Sequence, residues 1–269
     1  MPGILVTGGY GYLGAALLRL APDAVGTRFS SAGPLVQLDV RNPDGVNALV
    51  RRIRPEVIIH TAYTTRAEDN WETTTFGAQN VARAAAAIGA RLVHLSTDVV
   101  FDGGAGPYRE GDTVNPITPY GKAKADAERL VMAAHPDALV IRTSLLYGGP
   151  KNEGAQEALV REALSTDAIS FFTDEIRSPI AVNDLAGAVL ELVPQAVTGV
   201  INVAGPDAVN RHELAGNLAE SLGLGWDRLR SASSQGLSTP RPQNCALDST
   251  RAYAILARTP RGVRAALNI

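Results

Sequence analysis

The 269-residue chain is 45% hydrophobic and 19% charged with a formal net charge of −2 at pH 7, the balance of an ordinary soluble globular protein. It carries no basic footprint for nucleic acid or an anionic membrane, and no apolar run near the roughly 18 residues that a membrane span needs. Cys245 is the only cysteine, which excludes an internal disulfide and a thiolate cluster, and His60, His94, His135 and His212 lack the i, i+4 spacing of a helical metal site, so no metal is expected.

The first predicted strand, Ile4 to Thr7, begins almost at Met1, which leaves no room for a signal peptide and points to a cytoplasmic protein. It stops at glycine, turns, and restarts with the helix-spaced residues Leu13, Leu17, Leu18 and Leu20. Glycines fall at 8, 11 and 14. In a dinucleotide site Gly8 permits the sharp turn, Gly11 lets backbone approach a pyrophosphate, and Gly14 lets the helix pack on the strand. The pyrophosphate would then meet the helix N-terminus, where N–H groups and the dipole favour an anion. Ala24 to Thr27 reads as a second strand, and Arg28 follows it without a nearby acid. The end of this strand meets the adenosine ribose in such sheets, so Arg28 favours the 2′-phosphate of NADP over the 2′-hydroxyl of NAD.

Leu35 to Val40 predicts another strand, and Asn42-Pro43-Asp44 opens a helix that ends before Pro55. Val57 to His60 is apolar in the manner of a buried parallel strand. Asn70 to Ile88 predicts a long alanine-rich helix stopped by Gly89, and Arg91 to Ser96 the next strand. This alternation predicts a doubly wound parallel α/β sheet. A long loop through Asp102-Gly103-Gly104 and Asn115-Pro116 breaks the rhythm, and loops of that length in a compact domain are usually functional. It leads into a helix from Tyr120 to about Ala134 and a strand from Ala138 to Arg142. Beyond Gly148 the alternation weakens: helices near Glu157 to Leu164, Asp184 to Leu192 and His212 to Leu222, with short strands near Ile169 to Phe172 and Val200 to Val203, predict a smaller C-terminal α/β lobe.

Tyr120 and Lys124 stand four apart on one helix face. A tyrosine ordinarily titrates near pKa 10, and a neighbouring ammonium stabilises its phenolate, so the two make an acid/base unit. Thr97, at the C-terminal end of a strand where open parallel sheets hold their active sites, can hydrogen-bond the same substrate oxygen.

With these residues in view the chain resembles the extended short-chain dehydrogenase/reductases, and within them the dTDP-4-dehydrorhamnose reductase family. The matching stretches are Val6 to Gly14, Ser96-Thr97-Asp98 with Val100 to Gly103, Pro107-Tyr108 with Glu110, Tyr120 to Lys124 with Glu128, Arg142-Thr143-Ser144 with Tyr147-Gly148, Arg177-Ser178-Pro179 with Asp184-Leu185, and Arg241-Pro242 with Leu247-Asp248. The resemblance implies a Rossmann NADP-binding domain over 1–148, with 183–205 returning to it, and a substrate-binding lobe over 149–269. It implies that Thr97, Tyr120 and Lys124 form a catalytic triad that reduces the 4-keto group of a deoxysugar nucleotide with NADP(H). Gly8, Gly11, Tyr12, Leu13 and Gly14 would hold the coenzyme together with Arg28; Asp39 and Val40 would flank its adenine; Ala62 and Tyr63 would line its channel. Val99, Phe101, Asn152, Arg177 and Arg241 would face the nucleotide sugar.

Three departures from the family pattern stand out. Thr74 occupies the place of a helix asparagine that would support the lysine through water, the segment after Thr64 is short, and Val99 replaces an aromatic residue. Glu128, four residues from Lys124, reads as a helix ion pair worth about 0.3–0.5 kcal/mol. Two other readings stay open: an epimerase or dehydratase of the same superfamily, against which Val99 after Asp98 counts, and a non-catalytic NADP-binding regulatory subunit. The oligomeric state, a homodimer among the options, is open.

Overall fold

The computed structural model describes residues 3–30, 32–65, 70–149, 154–166 and 168–269. The chain forms two compact units, one of Met1–Thr97, Pro119–Arg142 and Val189–Ile201, the other of Asp98–Thr118, Thr143–Ala188 and Asn202–Ile269. In order come β1 (Ile4–Thr7), α1 (Tyr12–Leu20), β2 (Val25–Arg28), β3 (Val36–Gln37), α2 (Pro43–Ile53), β4 (Val57–His60), a π-helical stretch Asn70–Phe76, α3 (Gly77–Ile88), β5 (Arg91–Thr97), a 3-10 turn Asp98–Val100, α4 (Pro119–Ala134) and β6 (Leu139–Thr143). They are followed by β7 (Leu146–Tyr147), α5 (Ala155–Ser165), β8 (Ser170–Phe172), β9 (Ile176–Arg177), β10 (Ile180–Ala181), α6 (Val182–Leu192), β11 (Gly199–Asn202), β12 (Val209–Asn210), α7 (Arg211–Ser221), β13 (Arg230–Ala232), α8 (Thr250–Tyr253) and α9 (Val263–Leu267).

The first unit is built on a seven-stranded sheet in the order β11-β6-β5-β4-β1-β2-β3. The pairs β1–β2, β2–β3, β1–β4 and β4–β5 are parallel. The chain runs outward from β1 to β3 and then resumes on the other side of β1 at β4, so strand order reverses there, and a crevice opens at the carboxyl ends of β1 and β4. Thr7 and His60 end these two strands in register. Local chemistry sets the helix ends. Asn42 accepts a hydrogen bond from the Gly45 N–H at 3.1 Å with Pro43 in the first turn of α2, and α3 stops at Gly89 with φ +71°. Ala78, Val81, Ala82 and Ala85 of α3 pack with Leu5, Ile58, Leu92 and Val140, and every strand side chain of β4 is buried. Burial of each larger aliphatic side chain contributes about 1.5–3 kcal/mol.

Two predicted elements are shorter than the apolar pattern. β3 pairs only over Val36–Gln37, although Leu38 and Val40 are buried, because an apolar run reports burial and not ladder pairing. The alanine-rich helix becomes α-helical only at Gly77, where an added Cβ would stand 2.7 Å from Val40 Cγ2; close approach of backbone to that side chain demands glycine. The boundary between units also differs from that expected: it falls at Arg142 instead of 148, the returning segment is Val189–Ile201 instead of 183–205, and the 98–118 loop counts with the second unit. The reason is the loop's backbone polar groups, which need partners. Tyr108 N–H donates to Ala246 O and Asp248 N–H to Tyr108 O, both at 2.8 Å, and Asn244 N–H donates to Gly103 O at 2.9 Å.

The second unit has its own core of Tyr147, Val160, Phe171, Leu214, Leu218 and Leu229. Its α7 starts with a capping box in which Asn210 and Glu213 each bond the other's backbone N–H. Among the described residues no helix is long and apolar enough to cross a membrane, and no group of three or more His, Cys, Asp or Glu could hold a metal ion.

Gly14→Ala tests the packing of α1 on the glycine turn. A Cβ there would lie 2.2 Å from Gly8 O, so the turn must shift, whereas Gly187 in α6 has nothing within 4 Å of the same position. Urea unfolding should show Gly14→Ala destabilised by about 1–3 kcal/mol and Gly187→Ala unchanged or more stable by up to about 1 kcal/mol.

Candidate coenzyme and catalytic site

The glycine turn has the form that a pyrophosphate requires. Gly8 adopts φ +77°, Gly11 N–H donates to Gly8 O at 2.8 Å, and Gly14 is buried against the turn. Gly11 is the N-cap of α1, and with no side-chain cap bond there the positive end of the helix dipole is left for an anion. A cavity of about 410 Å³ opens on this turn, and its wall includes Gly8, Gly11, Arg28, Asp39, Val40, Ala62 and Tyr63. Of the other residues expected to bind the coenzyme, Tyr12 opens α1 and Leu13 is buried within it. These features fit a dinucleotide: a side-chain-free turn, a helix start, and a cleft long enough to run from glycine to arginine.

The cavity's wall also includes Phe29, Thr61 and Arg41, which the sequence reading passed over. Thr61 donates through Oγ1 to Thr7 O at 2.7 Å and so ties β1 to the segment after β4. Arg28 donates from Nε to Leu35 O at 3.0 Å. Arg41 grips Asp39 with Nε at 2.9 Å from Oδ1 and Nη2 at 2.8 Å from Oδ2, and its guanidinium lies 4.9 Å from the centre of the Phe29 ring. The Arg41 side-chain bond is the main cause that holds the Asp39 carboxyl below the usual carboxylate range. The only signal for Arg41 in the sequence is its place two residues after Asp39.

Thr97 ends β5, and Tyr120 and Lys124 occupy the first turns of α4. Lys124 is 3% exposed. Its Nζ donates to Leu95 O at 2.8 Å and lies 5.1 Å from the centre of the Tyr63 ring, which in turn is 5.7 Å from the Tyr120 ring. Burial pushes Lys124 down to about 8, while the Glu128 carboxylate pulls the other way. Glu128 is not the solvated helix ion pair expected from its spacing. It is buried, accepts from Ser96 Oγ, and takes a two-pronged grip from Arg142 with Nη2 at 2.7 Å. Below Lys124 the His60 and His94 rings stack at 5.4 Å, and Thr7 Oγ1 bonds His60 Nδ1 at 2.7 Å. Burial first, then the Lys124 charge, takes His60 to about 3 and His94 well below its ordinary value, so both rings are neutral near pH 7. Thr74, standing in the asparagine's place, is buried and bonds both the N–H and the O of Thr64 at 3.2 Å, and Thr75 donates to Ala123 O at 2.8 Å. Thr74 therefore braces Thr64, next to Tyr63.

Of the residues expected to face a sugar, Val99, Phe101, Arg177 and Arg241 are described and belong to the second unit, where Arg177 and Arg241 both meet Glu175. Phe101 is fully buried and stacks on Tyr108 at 4.1 Å, and Arg177 is 4% exposed. The Arg177 guanidinium donates to the backbone oxygens of Ile176, Gln243 and Pro242 at 2.7–2.9 Å. Val99 is half-buried, Arg241 is partly exposed and paired with Glu175, and Asn152 lies outside the described residues. Asp98 accepts from Ser144 Oγ at 2.6 Å and lies 3.8 Å from Arg177 Nε.

Comparison with known proteins matches residues 1–268 to the RmlD substrate-binding-domain family model. A dTDP-4-dehydrorhamnose reductase of Mycobacterium tuberculosis is 33% identical over 96% of this chain and 88% of its own. Methionine adenosyltransferase 2 subunit beta of Xenopus laevis is 30% identical over 95% of this chain and 84% of its own. Among solved structures, the dTDP-4-dehydrorhamnose reductase of Bacillus anthracis in complex with NADP superposes with a TM-score of 0.87 at 26% identity, covering 99% of this chain and 97% of that one.

Glu128→Ala strands the Arg142 guanidinium in the interior, and urea unfolding should register a loss of about 3–5 kcal/mol. The exposed Asp126–Arg129 pair, at 3.5 Å on the same helix, supplies the control: Asp126→Ala should cost about 0.5 kcal/mol or less.

Proposed function

The chain belongs to the RmlD substrate-binding-domain family of extended short-chain dehydrogenase/reductases, and from that premise we propose that it reduces the 4-keto group of a deoxysugar nucleotide with NADPH. The observation that carries this reading is the buried Lys124 ammonium, one helical turn after Tyr120, in the same unit as the glycine-lined cavity. Reduced nicotinamide, when bound, supplies hydride to the carbonyl carbon. The remaining work falls to side chains. Tyr120 gives its hydroxyl proton to the carbonyl oxygen, and the positive charge of Lys124 favours the phenolate left behind. Thr97 donates a hydrogen bond to the same oxygen. Gly8, Gly11 and the start of α1, with Tyr12, Leu13 and Gly14, bind the pyrophosphate; Asp39, Val40, Ala62 and Tyr63 line the coenzyme's path; Arg28 favours the 2′-phosphate. Of the residues expected to meet the nucleotide sugar, Arg241 is exposed and Val99 half-buried.

The pH profile follows from Lys124. Groups around it are His60 on β4 and His94 on β5, both neutral, Tyr63 from the segment after β4, and Glu128, whose charge is matched by Arg142. As pH rises through about 8 the ammonium loses its proton and its hold on the phenolate, so kcat/KM should fall through that range. The sign for folding is opposite. The unfolded lysine keeps its proton to about 10.4, so between the two values the unfolded state binds more protons and Lys124 contributes rising stability with pH.

A second reading, a non-catalytic subunit, draws support from the relatives named methionine adenosyltransferase 2 subunit beta. Turnover decides between them. Incubated with NADPH and a panel of 4-keto nucleotide sugars, the wild-type protein should consume the reduced nicotinamide absorbance, and Tyr120→Phe should abolish that turnover with NADPH affinity nearly unchanged. Equal rates in wild type and variant would refute the role of Tyr120, and no turnover on any ketosugar would favour the subunit reading. Retention of tightly bound NAD through purification would favour the epimerase or dehydratase class instead.

A further inference from the structure

Three arginines of the second unit, Arg177, Arg211 and Arg241, gather around two carboxylates. β9 and β12 pair with Asn210 opposite Ile176, so Arg211, the first residue of α7, lies beside the Glu175–Arg177 segment, and its backbone N–H donates to Glu175 O at 3.1 Å. Arg241 bonds both carboxylate oxygens of the buried Glu175 and lies 4.9 Å from the centre of the Phe172 ring. Arg177 stands 3.8 Å from Glu175 Oε2 and, through Nε, 3.8 Å from Asp98 Oδ2. Both acids are thereby matched, and the surplus positive charge falls on Arg211. Its side chain donates to the neutral Gln156 Oε1 at 3.1 Å, and among the described residues no carboxylate pairs with it. The place is a poor one for a cation: a helix start presents the positive end of the dipole, the residue is half-buried, and two like charges stand nearby. Burial is the main cause that draws the Arg211 pKa below the ordinary arginine value; Arg177 and Arg241 add to it, and Glu175 and Asp98 oppose it. The guanidinium keeps its charge all the same.

We propose that Arg211 and Gln156 form an anion site of the second unit that takes the diphosphate of the nucleotide sugar. This rests on the substrate reading above and names the residue that meets the substrate's charge. A diphosphate supplies the counter-charge that the fold withholds from Arg211, and the planar fork of the guanidinium can donate two parallel N–H bonds to phosphate oxygens. Gln156 orients that fork without neutralising it; a carboxylate in its place would cancel the attraction. Arg177 and Arg241, the two arginines expected to face the sugar, have their counter-charge in Glu175.

The test titrates thymidine 5′-diphosphate and uncharged thymidine calorimetrically into the full-length protein. Wild type should bind the diphosphate about tenfold tighter or more. Arg211→Ala should lose about tenfold or more for the diphosphate while thymidine binding stays within about twofold, and Arg211→Lys, which keeps the charge but not the fork, should fall between. Arg264→Ala removes a positive charge from an exposed pair with Glu220 in the same unit and should leave diphosphate binding within about twofold. Because Arg211 is held against burial and like charge, Arg211→Ala should keep or raise the urea midpoint, which a purely structural arginine would lower. Equal weakening of both probes by Arg211→Ala, an equal loss in Arg264→Ala, or a lowered urea midpoint overturns the anion site alone. Binding of neither probe by wild type overturns the nucleotide-sugar reading with it.

Discussion

A lysine ammonium withdrawn from water governs the first unit. A charge in the interior must be met by dipoles and counter-charge or lose its proton, and Lys124 shows both responses. The Leu95 carbonyl accepts a hydrogen bond from it, the Tyr63 ring offers its face, and Glu128 supplies opposite charge one turn along the helix, yet burial still draws the lysine's titration down to about 8. Glu128 is itself buried and needs Ser96 and Arg142 in turn. The contacts of Lys124 and Glu128 thereby tie α4 to β5 and β6.

The histidine stack beneath this lysine shows the same economy of charge. His60 and His94 stay neutral because neither their burial nor the neighbouring ammonium tolerates a second cation. The lysine stands beside uncharged imidazoles, and burial draws its own titration down to about 8. Thr74 and Thr75 secure the other side, fixing the segment with Tyr63 and the start of α4 through hydroxyl bonds to backbone.

Charge is handled differently at the end of the cavity formed by β2 and β3, where Asp39 and Arg41 stand partly exposed beside Arg28. Exposed pairs contribute little to stability, typically under about 1 kcal/mol, so their arrangement is better understood as setting the local potential that a ligand meets. In the second unit the ions again serve structure. Arg177 donates to the backbone oxygens of Ile176 in β9 and of Pro242 and Gln243 outside any strand, and Asp98 accepts from Ser144.

Patterns that are local in the chain were legible from the residues alone. The glycine turn before α1, the buried run of β4, the proline-primed start of α2, the glycine stop of α3 and the four-residue spacing of Tyr120 and Lys124 each depend on neighbours within a few positions, which is where periodicity and steric rules operate. Long-range partnership was decided only by the folded chain. Glu128 reads as a helix ion-pair partner for Lys124, and the fold adds Ser96, 32 residues away, and Arg142, 14 residues away, in the interior. The 98–118 loop found its backbone partners near residues 244–248, which moved it into the second unit, and the same closure buried Phe101 and Arg177. Arg41 lay two residues from Asp39 in plain view, yet its meaning came from the Phe29 ring and the cavity wall, because spacing states which groups can meet and only packing states which of them do.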